Sequence, residues 1–384
     1  MTLIPLISGT NAERSRVSNR QAVLGRIRSA GLMGRAEVAR TLGLSTQAVS
    51  NIIADLQSDG LLVEAGTRSQ GRGLPALQYG INAEGAYALG VEIRPDAIFT
   101  ALVDLHGNAV VNLRRTLKSN EPDYLVATVL KLRAQMLEKT NIETDKLLGA
   151  GIVIPGPFGQ TGVSGLGSDL TGWQYLDAHM LFESALELPV ELSNDANAAA
   201  MSEQIAMGLN NFAYLYFGAG LGLGLINHGQ LVKGAFGNAG EIGHVKVMTP
   251  NGLMPLESQL SRVAFQKHMM SKTPIDITAI EELFSQGDPK MMQWLDAGSS
   301  VLSQALALIE NLFDPQTVIL GGAMPAPVLQ HLIAQTVLPD LSVSNRDDNP
   351  HPRLQIGTCG RMTATLGAAS LILNRVFTPN ATSL

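Results

Sequence analysis

The sequence predicts an α/β body of two similar lobes behind a small, mostly helical head with a β wing. Three observations predict it. A strand–strand–strand–helix–strand pattern occurs twice, about 125 residues apart. The first 80 residues show instead three short helical stretches followed by two strands. The 384 residues are 45% hydrophobic and 16% charged, which is a globular composition with room for two or three domains.

The charge divides at the same place. Residues 1–80 carry nine arginines against five carboxylates and no lysine, while the rest of the chain is acidic enough to bring the total to −6. Arginine's planar fork suits phosphates and guanine edges. The overall acidity is therefore an average over a basic head and an acidic body, and it does not exclude nucleic acid. The single cysteine, Cys359, excludes a disulfide framework and any multi-cysteine metal site. No apolar run approaches the roughly 18 residues of a membrane span, and the N-terminus lacks a secretory pattern. A cytoplasmic protein with no membrane partner is expected.

In the head, Val23, Leu24 and Ile27 fall at helical spacing between Asn19 and Ser29, and Gly31 ends that helix. A second helix is expected over Arg35–Leu42 and a third over Thr46–Asp59, with Ser45 as its N-cap. Gly43 sits in the tight turn between them, which is the helix-turn-helix arrangement. The outward residues Ser45, Thr46, Gln47, Ser50 and Asn51, with Arg35 nearby, are small polar or basic groups able to bond base edges and phosphates. Strands near Leu61–Ala65 and Leu77–Ile81 flank an Arg/Gly-rich loop. That makes a wing, from which Arg68 and Arg72 reach DNA backbone or minor groove. The domain boundary is expected at residue 82, with body lobes of about 83–195 and 196–384.

In the body, strands are expected at Ala88–Ile93, Ile98–Asp104 and Ala109–Thr116, then a helix over Tyr124–Lys139 and a strand over Leu147–Ile154 ending in Pro155-Gly156-Pro157. A helix follows over Asp195–Gly208. The pattern then recurs as Ala213–Phe217, Gly222–Asn227 and Gln230–Lys233, a long apolar helix over Gly298–Phe313, and a strand over Thr317–Leu320. Such a duplication makes the actin-like, ribonuclease-H-like fold, which binds ligands in the cleft between its lobes.

Three clusters could carry chemistry. Asn194 and Asp195 stand where a strand meets a helix, and a carboxylate beside an amide can orient a hydroxyl and take its proton. Helix capping alone would also place Asn and Asp there. Glu241 and His244 close the glycine-rich run Gly237–His244, where backbone can approach a ligand, although a satisfied polar loop would look the same. No second histidine or cysteine stands near enough to suggest a metal. The glycines of 218–224 recur at every second position, which misses the dinucleotide spacing and lacks the Walker lysine. A glycine-rich hairpin strand accounts for them as well.

Together these motifs resemble the ROK family of repressors and sugar kinases, in its regulator branch with an N-terminal winged helix-turn-helix. The resemblance covers essentially the whole chain. It rests on the Gly-Arg-Gly-Leu-Pro wing, Pro155-Gly156-Pro157, Asn194-Asp195-Ala-Asn-Ala-Ala-Ala, the glycine strand, Glu241-x-x-His244 and Leu320-Gly-Gly322, in the family's order. It implies that Asn194, Asp195, Glu241 and His244 hold sugar hydroxyls, with Gly156 beside them, and that Asp195 stands where the kinases have their base. Glu257, in Pro255-Leu-Glu-Ser258, matches a further sugar-binding glutamate.

The nucleotide half of the resemblance is damaged. The family's Asp-x-Gly-Gly-Thr-Lys reads Glu92-Ile-Arg-Pro-Asp96, and its Gly-Thr-Gly reads Gly218-Ala219-Gly220. Phosphoryl transfer depends on positioning the triphosphate, so no kinase activity is expected and Asp195 is a vestigial base. The zinc-binding cysteine loop is also missing, since His244 and Glu257 are only 13 positions apart with no cysteine between them. No metal and no cofactor are expected.

The expected function is a sugar-responsive regulator, a repressor, binding operator DNA as a homodimer or homotetramer. The alternatives are a sugar kinase carrying a DNA-binding head, and a sensor whose ligand is not a sugar or whose partner is a phosphotransfer-system protein.

Overall fold

The structure is a computed structural model and describes residues 11–68, 75–94, 97–156, 158, 173, 176–273 and 275–379. These fall into two compact units. One comprises Met1–Ile152, Leu176–Leu192 and Ala368–Leu384, and the other comprises Val153–Tyr175 and Ser193–Gly367, each through its described residues. No described helix is long and apolar enough to cross a membrane.

The first unit opens with α1 (Asn11–Ala30), β1 (Met33–Gly34), α2 (Arg35–Leu42), α3 (Thr46–Ser58), β2 (Leu62–Arg68) and β3 (Ala76–Ile81), the strands ordered β1-β3-β2. Val23, Leu24, Ile27, Val38, Val49, Ile53 and Leu56 are all at most 1% exposed and form its core. Between α2 and α3, Gly43 adopts φ 66° and sends its N–H back to Ala39 O, a left-handed stop that only glycine makes without strain. Ser45 then accepts a hydrogen bond from Ala48 N at 3.1 Å and caps α3. Helix α1 begins eight residues before its expected start. Its early turns carry no apolar stripe, but Arg16 and Arg20 pair there with Asp55 and Asp59 of α3.

The same unit continues with β4 (Tyr87–Ile93), β5 (Ala97–Asp104), β6 (Ala109–Thr116), α4 (Pro122–Thr140), β7 (Leu147–Val153), α5 (Ala178–Leu186) and β8 (Val190–Ser193). The sheet order is β6-β5-β4-β7-β8.

The second unit repeats the plan. It holds α6 (Asp195–Met207), β9 (Phe212–Phe217), β10 (Leu221–Asn227), β11 (Gln230–Leu231), β12 (Lys246–Thr249), β13 (Gly252–Pro255), α7 (Arg262–His268), α8 (Ile277–Ser285), α9 (Pro289–Phe313), β14 (Val318–Gly322), α10 (Ala326–Gln335) and β15 (Leu354–Ile356). Its main sheet is ordered β11-β10-β9-β14-β15, which is the first sheet's order strand for strand. The duplication expected from the sequence is present. The core lies on the sheet face under α9 and α10, with Leu215, Phe217, Leu302, Leu306, Ile309 and Leu320 at 0% exposure.

Several expected boundaries shift. β11 stops at Leu231 because Gly234 turns the chain at φ 74°. α9 begins nine residues before its expected start, at Pro289, because Asp288 caps it by accepting from Lys290 N and Met291 N. The elements α5, β8, β12, β13, α7, α8, α10 and β15 have no counterpart in the sequence expectation.

The last helix, α11 (Thr363–Phe377), is shared by the two units, which divide at Ala368. Within the first unit its end holds α1. Gln21 Nε2 donates to Arg375 O at 2.7 Å, the Arg28 guanidinium stands over the Phe377 ring at 4.3 Å, and a Cβ on Gly25 would meet Phe377 O at 2.1 Å.

Candidate functional site

Helix α6 places Asn194 and Asp195 by close packing on β10. A Cβ on Gly224 would lie 2.4 Å from Ala196 O and 2.6 Å from Ala200 Cβ, and one on Gly222 would lie 2.7 Å from Ala196 Cβ. The alternating glycines of β10 thus let an alanine-rich helix sit down on the strand. At the helix start, Asn194 Oδ1 accepts from Asn197 N at 2.8 Å, and Asp195 Oδ1 accepts from Ala196 N at 2.9 Å. Both side chains therefore cap the helix, as their residue types alone would suggest. Capping also aims Asp195 Oδ2 at the turn before β10, where a Cβ on Gly218 would lie 3.1 Å away.

Glu241 and His244 are held against the other side of β10. Leu223 N donates to Gly240 O at 3.0 Å, and Gly240 sits at φ 95° where a Cβ would meet Leu223 O at 1.8 Å. A single helical turn, Ile242–His244, follows. The chain then leaves along β12 and returns along β13, paired from Lys246↔Pro255 to Thr249↔Gly252, into the turn Leu256–Ser258 that carries Glu257. A hairpin of two four-residue strands thus closes the interval between His244 and Glu257, which holds no cysteine. Gln304 of α9 fixes it, accepting from Met248 N at 2.9 Å and donating to Met248 O at 3.0 Å.

The result is a closed circuit of contacts within the second unit. A Cβ on Gly156 would lie 3.7 Å from Asn194 Cβ and 3.6 Å from Glu241 Oε1. Glu241 Oε2 stands 3.7 Å from His244 Nε2, and His244 Nδ1 stands 3.6 Å from Glu257 Oε1. Glu257 Oε2 would be 2.7 Å from a Cβ on Gly220. Gly220 O accepts from Gly218 N, and Gly218 returns the circuit to Asp195. All six expected ligand residues, Gly156, Asn194, Asp195, Glu241, His244 and Glu257, are brought together.

The electrostatics are crowded. Burial raises the Glu241 carboxyl pKa above its ordinary value, His244 opposes the shift and Glu257 adds to it. The glutamates are about one-third exposed and the imidazole about one-quarter, so the ring of polar groups is open to a ligand. Carboxylates, an amide and an imidazole can each bond paired hydroxyls. Among the described residues, no group of three or more His, Cys, Asp or Glu is placed to share a metal ion.

The sequence reading missed the supports. Asn238 clasps the segment after Gly156 in both directions, accepting from Phe158 N at 2.8 Å and donating to Phe158 O at 2.9 Å. Gln304 stands too far along the chain to be linked to the hairpin by spacing. The described residues of the two stretches expected to match the family's phosphate loops are engaged with neighbours. In the first unit Arg94 Nε pairs with buried Glu92 at 2.6 Å, while Pro95 and Asp96 lie outside the described residues. In the second, the carbonyls of Gly218 and Ala219 accept from Arg262 N and Val263 N at the start of α7.

In the head, Arg35, Ser45, Thr46, Gln47 and Asn51 are exposed, and Ser50 is half-buried. Gln47 Nε2 donates to Asn51 Oδ1 at 3.0 Å, and the Arg35 guanidinium stands 5.1 Å from the Tyr79 ring centroid. Arg68 ends the exposed strand β2. Arg72, with the wing tip, lies outside the described residues, as does Pro157.

Residues 88–375 match the ROK family, and the chain belongs to it. Its fold is the actin-like α/β fold of that family behind the N-terminal head. The xylose repressor of Bacillus spizizenii is 23% identical over 371 residues, 92% of this chain and 94% of that one. The crystal structure of a ROK family transcriptional regulator, a homologue of the E. coli MLC protein, superposes with a TM-score of 0.73 at 21% identity, covering 95% of this chain and 97% of that one. A ROK family glucokinase from Streptomyces griseus, in complex with glucose and AMPPNP, gives 0.58 at 22% identity and covers 74% of this chain and 99% of that one.

Proposed function

We propose that this protein is a sugar-responsive transcriptional repressor of the cytoplasm. Residues 1–82 form a winged helix-turn-helix that reads operator DNA, and residues 83–384 form the sensor. In the head, α3 enters the major groove with Thr46, Gln47, Ser50 and Asn51 facing base edges. Arg35, Ser45, Arg68 and Arg72 hold the backbone. In the sensor, a sugar or sugar derivative bonds Asn194, Asp195, Glu241, His244 and Glu257, with Gly156 giving room for close approach. The protein acts as a homodimer or homotetramer, so its operator is a pseudo-palindrome.

The observation that carries this reading is the closed circuit of hydroxyl-bonding side chains in the same chain as an exposed polar face on α3. The likeness to a xylose repressor over nearly the whole chain supports it. The regulator structure matches a larger share of this chain, 95% against 74% for the glucokinase, which points the same way. The test measures the affinity for an operator selected from random duplexes, with and without a panel of free sugars. A sugar that binds should shift the operator Kd at least tenfold, about 1.4 kcal/mol of coupling. The sign expected of a repressor is release.

A second reading, a sugar kinase with a DNA-binding head, draws on Asp195 Oδ2 standing over the 218–220 turn. Sugar-dependent ATP turnover that disappears in Asp195→Asn would establish it in place of the pure regulator.

A further inference from the structure

We infer that the second unit carries a further binding site, a cavity between α7 and α9 that takes a small organic anion: one phosphate or carboxylate group on a body of a few carbons. No member of the circuit around Asn194 and Glu241 lines this cavity. The inference does not rest on the sugar-binding reading.

The cavity has a volume of about 310 Å³, at the small end of the range for ligand pockets. Small residues keep it open, Ala264 from α7 and Ala297 and Gly298 from α9. One wall is held rigidly. Trp294 lines the cavity at 4% exposure, its Nε1 donates to Gln259 O at 3.1 Å, and its ring meets the Phe265 ring edge-on at 5.1 Å. An indole fixed in this way offers an apolar platform to the body of a ligand. The remaining contributors, Ser258, Gln259, Lys267 and His268, are all polar.

Charge selects the ligand class. The stretch from Ser258 to Ile275 holds Arg262, Lys267, His268 and Lys272 and no carboxylate, within a body that is acidic overall. The flanking carboxylates are committed. Glu257 stands against His244, Asp276 caps α8 by accepting from Ala279 N, and Asp288 caps α9. Asp296 of α9 does not line the cavity. Basic residues at a helix end commonly bond its last carbonyls. At the end of α7 the backbone already does so: Phe265 O accepts from Met269 N, Gln266 O from Ser271 N and Lys267 O from Met270 N. Among the described residues no carboxylate pairs with Lys267, so its ammonium is available to a ligand. His268 Nε2 donates to Lys290 O at 2.9 Å, which ties α7 to the first turn of α9 and fixes the imidazole. An anion in the cavity gains a charge-assisted hydrogen bond from Lys267, while its carbon body lies against the indole.

The experiment is isothermal titration of the full-length protein at pH 7.5, in a buffer free of phosphate and carboxylate, with Trp fluorescence as a second readout. The probes share one three-carbon body: glycerol 3-phosphate, glycerate and glycerol, with inorganic phosphate alone as the fourth. The expected result is that glycerol 3-phosphate or glycerate binds with a Kd of about 1 mM or tighter, at least tenfold more tightly than glycerol and than inorganic phosphate, and changes the fluorescence. Which of the two binds distinguishes phosphate from carboxylate. Lys267→Met should weaken that binding at least tenfold, and Ala297→Leu, which fills the cavity from an exposed position, should abolish it. Lys272→Met, a lysine outside the cavity, should leave it unchanged. Both cavity substitutions are at exposed positions, so the Tm should hold. Binding by neither three-carbon anion overturns the inference. So does glycerol or inorganic phosphate binding as tightly as they do, or binding that survives both Lys267→Met and Ala297→Leu.

Discussion

Gly224→Ala tests whether the glycines of β10 position the ligand residues. A Cβ at this position would lie 2.4 Å from Ala196 O and 2.6 Å from Ala200 Cβ. Ordinary carbon contacts begin near 3.5 Å, so α6 must retreat from the strand by roughly 1 Å. Ala196 is adjacent to Asp195, so the retreat moves Asn194 and Asp195 away from Gly156 and the 218–220 turn. Overpacking of this kind costs about 1–3 kcal/mol of stability, a fall of a few degrees in Tm. Displacing two ligand groups by about 1 Å should cost on the order of 100-fold in effector affinity. Differential scanning calorimetry and sugar titration read the two effects. Operator binding without sugar should be unchanged, because α2 and α3 make no use of β10. A variant with wild-type Tm and wild-type effector Kd would refute the packing argument.

Three further outcomes are expected. Asn51→Ala should cost about 1–3 kcal/mol of operator affinity and relax preference at one base pair, whereas Arg68→Ala should weaken binding across sequences and lower the salt slope by about one; fluorescence anisotropy at several salt concentrations separates them. Glu241 is held protonated to higher pH in the folded protein than in the unfolded chain, so the folded state binds more protons and stability falls as pH rises from 4.5 through the raised pKa. Glu241→Gln should remove that fall in denaturant titrations from pH 4 to 8, while weakening the effector. Glu203 is fully buried and accepts from Thr358 N, Thr358 Oγ1 and Cys359 N at 2.8–2.9 Å. Burial, and then the Glu203 charge, raise the Cys359 thiol pKa, so Glu203→Gln should speed alkylation of Cys359 and lower Tm, and an unchanged alkylation rate would count against the assignment.

Local signals made much of this protein legible in its sequence. The head's α2 and α3 follow from apolar spacing, Gly43 and the Ser45 cap, which act over a few residues. The duplicated sheets follow from alternating apolar runs of strand length. The ligand candidates stood out as polar residues beside glycines at element junctions. The hairpin of β12 and β13 was missed because its strands are four residues long and half exposed, with Met248 and Leu253 facing solvent. Periodicity over so few residues carries little information. α5 and β8 were missed for a related reason, being short elements between stronger motifs.

By itself, the sequence determined which residue types were available: a basic, lysine-free head and an acidic body. Composition and short-range pattern are properties of the chain, and folding does not change them. Tertiary structure alone decided that Gly156, Asn194, Asp195, Glu241, His244 and Glu257 share one circuit of contacts, since they are up to 101 positions apart. It also decided that Asn194 and Asp195 serve as helix caps while facing that circuit, and that Gln304 and Asn238 brace it. Those facts depend on glycine-permitted close approach of α6 and the Gly240 turn to the two sides of β10, a packing relation that no local pattern encodes.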